Sequence, residues 1–448
     1  MTSRLSTYDL YAEQYGRLPV TGPKWLSALR RRGMDSFSML GFPTSRKDNE
    51  KWKYTNLGPL ANSTFGYADR PGVVDEGLLT ALAPSFEDCV QLVFVDGQFS
   101  PDHSKNEIAE NGVAVSRLGD SASLGQNGVS EILGSLAVVE SDGFTALNTA
   151  FATDGAIVKV SADGSAPTVH LVYVTTEHDE AIATHPRTLV IAGEGSECRV
   201  VESYVGVGES TYFTNSVSEV ILEPGAQVEH YRLMMDSPGA FHIGSTPVRL
   251  GEDSAFNSLS FARGGRVARN GLHVMLDAPG SSCVVGGLYF TYGTQHIDNH
   301  IVIDHLKPHT VSDLYFKGIL DDRSRAVFSG GVIVHPNAQK SEAYQKDQNL
   351  LLSEGARINT KPMLEIYADD IQATHGATAG AVAEEAIFYM RSRGIDEKTA
   401  RDLLVHGFAK EIIDRVSLEP LREYLDGLFA DGLPGTRSNH SEGNKSRG

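Results

Sequence analysis

The densest run of chemically versatile side chains is Gln295-His296-Ile297-Asp298-Asn299-His300-Ile301-Val302-Ile303-Asp304-His305, with His309 following Pro308. His296 and His300 are four residues apart, a spacing that puts both on one face of either a helix or a strand. Neutral imidazole is a good metal ligand, so the chemistry such a pair suggests is a metal site, and for the lone His375 further along the chain it is contact with iron or zinc. On a helix, HxxxH around a Glu would read as a zincin. That Glu is absent, and Pro308 with the β-branched run Ile301-Val302-Ile303 argues for a strand. The plainer expectation is a structural polar ladder, in which His296, Asn299 and His300 satisfy one another and the backbone along a wall of stacked strands.

A second constellation is Asp369-Asp370-Ile371-Gln372-Ala373-Thr374-His375-Gly376-Ala377-Thr378. Here a β-rich region gives way to a helical one, and junctions between architectures are favoured places for ligands and partners. Asp321-Asp322 offers two carboxylates, but neighbours on a strand face opposite sides, so a turn is the better reading than an acid/base pair. No GxxxxGK[ST], GxGxxG or GxSxG stands in a strand-turn-helix context, which leaves nucleotide binding and serine hydrolysis without local support.

The elements that must position these residues fall into three zones. Residues 1–90 read as a helical and loop-rich leading region: residues 24–32 carry Trp25, Leu26 and Leu29 at helical spacing, and a Gly/Pro break follows at residues 41–43. Residues 91–380 read as short β-rich runs, among them Leu92-Val93-Phe94-Val95, residues 169–174 and residues 217–222, with no helical periodicity between them. A turn motif recurs as Gly195-Ser196, Gly225-Ala226, Asp253-Ser254, Gly280-Ser281 and Gly355-Ala356. Its period of roughly 30 residues fits a solenoid better than a propeller, whose blades need about 40 or more. One continuous parallel β-helix over this zone is expected, with Gly286-Gly287 and Gly330-Gly331 at tight coil corners. Residues 381–434 read as helical: Glu384 to a C′ glycine at Gly394, an Asp396 cap, a stripe of Leu404, Phe408, Ile412 and Val416, then Pro420 opening a helix with Leu421, Leu425 and Leu428. Residues 435–448 read as a disordered tail.

Composition narrows the partners. The chain has 448 residues with 39 Lys+Arg against 57 Asp+Glu, a net charge of −18. That charge repels phosphate backbones and anionic membrane surfaces, and no apolar run approaches the roughly 20 residues that span a bilayer. No nucleic-acid partner, no membrane insertion and a cytoplasmic location are expected. Cys89, Cys198 and Cys283 are far apart and form no local metal or disulfide motif.

Several motifs in order are recognisable: Asn49-Glu50-Lys51-Trp52-Lys53-Tyr54-Thr55, QHIDNH, IDHLKPHT, Tyr315-Phe316-Lys317-Gly318, Gly330-Gly331, Ala343-Tyr344-Gln345, IYADD, THGAT and FYMRSRGI. Together, over residues 46 to 416, they resemble the SufD branch of the SufB/SufD family. The resemblance implies a right-handed parallel β-helix core flanked by an N-terminal helical region and a C-terminal α-helical domain. It implies a non-enzymatic scaffold for iron-sulfur cluster assembly in the SUF system, with no tightly bound cofactor and only a transient iron-sulfur cluster at the interface between SufB-like and SufD-like subunits. The implied partners are a SufB-like subunit, paired through the β-helix cores, and a SufC-like ABC-type ATPase docked on the C-terminal helices, where Phe388, Tyr389, Arg393 and Phe408 are candidate contacts. Sulfur would arrive indirectly. His375, flanked by Thr374 and Gly376, occupies the position implied to contribute to the cluster assembly site. One departure stands out: Ala373 replaces a cysteine often found two residues before that histidine, so the sulfur chemistry would fall to the partner. The alternatives are a homodimeric SufB/SufD-like scaffold and a β-helix polysaccharide lyase or hydrolase.

Overall fold

The computed structural model describes all residues except 1–6, 19–22, 45–48, 69, 106–108, 111, 121–127 and 431–448; the tail expected over 435–448 lies outside them. The chain folds as a parallel β-solenoid of about eight turns with helices at both termini. A ten-stranded sheet runs from Gln98–Phe99 and Cys89–Val95 to Ser341–Leu351 and Ile371–Ala381. An eleven-stranded sheet runs from Ala109–Glu110 to Arg325–Val334 and Arg357–Ile366. Successive rungs are stacked in strict register, for example His296↔Arg325 and Arg325↔Arg357.

Both faces of each sheet are covered over much of their length, which explains strands that read as apolar runs rather than as alternating patterns. Inside, the lumen buries residues such as Leu314, Phe316, Phe328 and Val332. Outside, Val405, Ile412 and Leu421 from the C-terminal helices pack on Tyr231, Phe261 and Leu288 of the ten-stranded sheet. The opposite wall is covered by Phe37, Trp52 and Phe144, which pack on Phe213, Phe241 and Ile243.

The recurring turn motif makes one longitudinal corner of the solenoid. Gly195, Gly225, Asp253, Gly280, His309 and Lys340 all have positive φ. The next residue in each case, Ser196, Ala226, Ser254, Ser281, Thr310 or Ser341, is buried. The hydroxyls of Ser254, Ser281 and Thr310 donate to carbonyls three residues back, at 2.8, 2.8 and 3.1 Å. The two units at residues 309 and 340 fill the gap the sequence left open. Gly355-Ala356 belongs elsewhere: it precedes a strand of the other sheet, on the opposite corner where Asp322, also at positive φ, makes the turn read for Asp321-Asp322.

Three expectations are corrected. The β-rich zone is not one uninterrupted solenoid, because the helices Val129–Ile132 and Gly143–Phe151 precede its first full turn. The second was invisible to periodicity since all nine of its residues are buried; its signal was the cap, Asp142 accepting from the Thr145 amide at 3.1 Å. Gly286-Gly287 and Gly330-Gly331 lie within the strands Ser282–Thr291 and Arg325–Val334 rather than at corners. There they make room in the lumen: a Cβ on Gly287 would strike the Phe316 ring directly across the register, and one on Gly330 would strike Gln345 and Phe328. In the helix Glu397–Ile413 the buried residues are Ala400, Val405, Ala409, Ile412 and Ile413; of the expected stripe Ile412 and, just beyond the helix, Val416 are buried, while Leu404 and Phe408 are only half-buried.

Replacing Gly287 by Ala therefore overpacks a rung in which the new methyl would meet the Phe316 ring. A loss of about 1–3 kcal/mol is expected, read as a lowered urea midpoint with an unchanged slope; full wild-type stability would contradict the lumen packing described.

Candidate functional site at the open end of the solenoid

A parallel strand is bonded along both edges only if another follows it. Among the described residues, Ile371–Ala381 and Arg357–Ile366 are the last strands of their sheets, so each has one unpaired edge. In the preceding strand the alternate residues Ala343, Gln345, Asp347 and Asn349 face the lumen and are buried. The register continues this row onto Ala373, His375, Ala377 and Ala379. His375 thus lies over Gln345 at the mouth of the lumen and is exposed, as are Thr374 and Gly376 beside it.

Beneath His375 the lumen changes character. Asn349 donates from Nδ2 to Asp347 Oδ2 at 2.7 Å and accepts from the Tyr289 hydroxyl at 2.5 Å. Gln345 donates to the Gly330 carbonyl at 3.1 Å. Asp347 Oδ1, Gln345 Oε1 and Thr360 Oγ1 are buried without a hydrogen-bond partner. Burial pushes the Asp347 carboxyl up to about 6, partly offset by Thr360 and Asn349.

No thiol reaches this end. Ala373 packs partly buried against the lumen core. The chain's three cysteines are all buried on earlier strands as free thiols. Burial raises each of them, Cys198 to about 12. Their thiolate forms, which metals and sulfur transfer need, are disfavoured.

The histidine-rich strand His296–His305 does something different from what its composition suggests. His296 and His300 face outward, whereas Asn299, an odd number of residues away, faces the lumen, where Asn270 donates to it at 3.5 Å. The three therefore do not form one ladder, a consequence of the two-residue strand period. His296 Nε2 lies 3.0 Å from Thr55 Oγ1, and Thr55 donates to Asp298 at 2.5 Å. Asp298 also pairs with Arg269, whose guanidinium sits 4.0 Å above the Trp52 ring. This cluster clamps the segment around Trp52 onto the wall. Burial, reinforced by Arg269, lowers the His300 imidazole to about 4, so it is neutral at pH 7. Among the described residues no three His, Cys, Asp or Glu side chains converge to hold a metal ion.

Two polar assemblies escaped the sequence reading because their members are far apart in the chain. Asp304 accepts from His273 and His335, at 2.6 and 3.1 Å, across three rungs. Deep in the lumen, burial opposes ionisation of Glu202, but His230, Arg232 and Ser218 overcome it and hold the carboxyl down to about 2. Only the rung spacing of about 30 residues links such positions, and a single sequence does not announce which residues will share a rung.

The C-terminal helices present a separate surface. On Glu384–Ser392, Phe388 and Tyr389 are 74% and 61% exposed, and the Arg393 guanidinium lies 5.3 Å from the Tyr389 ring centroid. Phe408 lies instead at the joint with the solenoid. Lys317 sits 4.1 Å above its ring, donates to its carbonyl at 2.9 Å and pairs with Glu411 at 2.7 Å.

The raised Asp347 pKa has a consequence for stability. Its folded value lies above the ordinary 3.8, so the folded state holds this proton more tightly than the unfolded one. Stability supplied by the protonated form is complete below about pH 4 and is lost as pH rises to about 6. Asp347→Asn should therefore be more stable than wild type at pH 7.5, by about 1–3 kcal/mol, with the gap closing near pH 4. Denaturation midpoints at both pH values would check this, and a gap independent of pH would refute it.

Comparison with known proteins matches both parts of the molecule. Residues 1–166 match the SufBD protein N-terminal region, and residues 173–408 match the SufBD core domain of SUF system FeS cluster assembly. An iron-sulfur cluster assembly SufBD family protein of Synechocystis is 31% identical over 408 residues, covering 88% of each chain. The Escherichia coli iron-sulfur cluster assembly protein SufD is 30% identical over 398 residues, 88% of this chain and 90% of its own. Protein ABCI7, chloroplastic, of Arabidopsis thaliana is 35% identical over 247 residues, 54% of this chain and 51% of its own. With its core and its N-terminal region both matched, and with relatives aligned over nearly nine-tenths of its length, the chain belongs to the SufBD family of iron-sulfur cluster assembly proteins.

Proposed function

We propose that this chain is a non-catalytic scaffold subunit that pairs through the open end of its solenoid with a SufB-like subunit, docks a SufC-like ABC-type ATPase on its C-terminal helices, and helps hold a nascent iron-sulfur cluster at the subunit interface with His375. The observation that carries this reading is the unpaired edge of Ile371–Ala381. Exposed edge strands in soluble proteins are ordinarily guarded by Lys, Glu or Pro. This one, IQATHGATAGA, has eleven residues and none of the three. A strand from a partner laid against it would continue the ladder, the usual way an open sheet edge is recognised. His375 would then sit between the two subunits.

At that place the imidazole can donate a lone pair to iron, while thiolate and sulfide come from the partner, since the thiols of this chain are buried and protonated. The ATPase surface is argued from Phe388, Tyr389 and Arg393, an exposed aromatic pair with an adjoining cation of the kind that dominates binding energy at interfaces. Among the described residues no helix is long and apolar enough to cross a membrane.

Two experiments test the reading. His375→Ala should leave the fold within about 0.5 kcal/mol of wild type, because an exposed side chain supports little core, yet lower the cluster formed on anaerobic reconstitution of the complex; wild-type cluster yield would exclude the assignment. For the ATPase, removing the helices would strip the ten-stranded sheet of its cover, so surface changes are cleaner. The double variant Phe388→Ala, Tyr389→Ala is expected to lose ATPase co-purification while retaining the SufB-like partner, and undiminished ATPase capture would place the docking surface elsewhere.

A further inference from the structure

The open end holds one feature that interface formation alone does not account for. Directly under the mouth, three buried side-chain oxygens on two strands are without a hydrogen-bond partner: Asp347 Oδ1, Gln345 Oε1 and Thr360 Oγ1. Gln345 and Asp347 are alternate residues of one strand and share its lumen face. The Thr360 hydroxyl lies close enough to help stabilise the Asp347 carboxylate. The floor of the lumen therefore holds more oxygen acceptors than donors, an imbalance that something electropositive would relieve.

We propose that this floor is an oxygen-donor site for a hard divalent cation, ferrous iron under the assembly reading above on which this inference rests, with Asp347 as the anionic ligand and Gln345 and Thr360 as neutral ligands, one rung beneath His375. The electrostatics are consistent. In register, Asp347 is flanked by Phe316 on one side and Ala377 on the other, and Asn349 and Tyr289 complete its surroundings. None of these carries charge. The nearest cations in sequence, Lys317 and Lys346, occupy alternate positions whose side chains leave the lumen, and Lys317 is engaged by Glu411 and the Phe408 carbonyl. A carboxylate without a cationic partner in such a place favours a cation over a neutral occupant.

The ligand set also fits a transit role. A carboxylate, an amide carbonyl and a hydroxyl are hard donors suited to Mg²⁺, Mn²⁺ or Fe²⁺, and a single charge among them gives weak binding, on the order of 10⁻⁴–10⁻³ M as in low-charge oxygen sites. Weak binding next to an imidazole allows iron to pass onward. On the lumen side of the last strand His375 is flanked by Ala373, Ala377 and Ala379, all small.

The test uses the full-length chain and Mn²⁺, a redox-inert hard cation visible by electron paramagnetic resonance, at about 0.15 M salt so that loose association with the acidic surface is screened. Wild type should bind one Mn²⁺ more than Asp347→Asn does, with affinity at that site falling at least tenfold in the variant. Thr360→Val, which keeps the shape and removes only the oxygen, should weaken the same site about threefold or more, and it serves if the Asn variant folds poorly. Superimposable Mn²⁺ isotherms for wild type and both variants would overturn the proposal and leave a buried water as the occupant. Neither partner nor cluster enters this titration, so its outcome is independent of the His375→Ala reconstitution. Loss of cluster assembly with Mn²⁺ binding unchanged in His375→Ala would support two distinct sites.

Discussion

A strand in a parallel solenoid leaves half of its backbone donors and acceptors unmatched until another strand is laid on it, and this requirement governs the molecule from end to end. Each rung is stable only through its neighbours, so the two ends are the places where the rule must be met in some other way. The beginning is closed inside the chain. Cys89–Val95 is paired antiparallel by Gln98–Phe99, and Ala156–Val160 is followed outward by the antiparallel Val113–Arg117 and Ala109–Glu110. The helix Gly143–Phe151 packs nearby against the wall. The other end carries no such closure among the described residues, and the two ends differ in composition accordingly. Short antiparallel strands close the first, while the last strand of the ten-stranded sheet, IQATHGATAGA, is built largely of alanine, glycine and threonine.

The same asymmetry runs through the lumen. In the early rungs the buried carboxylate of Glu202 is answered on three sides, by His230 at 3.2 Å, Arg232 at 3.3 Å and Ser218 at 2.7 Å. Truncating one member of such a set leaves a buried charge uncompensated, which typically costs about 3–5 kcal/mol. In the last rungs the polar row of Gln345, Asp347 and Asn349 is answered only in part. Protein interiors rarely leave buried acceptors in this state without a use for them.

How much of this a single sequence discloses depends on the range of the interaction concerned. The corner glycines and following small residues are local, so the turn at residues 195, 225, 253 and 280 was readable from spacing; so was the Asp396 cap, which accepts from the Thr399 amide at 3.0 Å. Gly287 was misread as a corner because its reason, the Phe316 ring across the rung, lies about 30 residues away in the chain. His296 and Asn299 were grouped because they are close in sequence, although strand parity puts them on opposite faces. His375 was legible through its motif, not through physical pattern: an exposed histidine on an edge strand leaves no periodic trace. Asp347 left none at all, since an aspartate among alternating polar residues reads as a solvated strand face until the solenoid closes around it.

The chemistry left at the open end is lopsided in a way that separates iron from sulfur. Imidazole, carboxylate, amide and hydroxyl are donors for a metal ion, and none of them can accept or pass on sulfane sulfur as a thiolate can. With Ala373 near the histidine and every cysteine buried with its thiol raised, this end of the chain offers donors for a metal ion and no thiol. A pair of identical subunits joined at their open ends would double those donors and still lack sulfur ligands. On the scaffold reading proposed above, the residue types at one strand edge favour an unlike partner that supplies the thiol position 373 lacks.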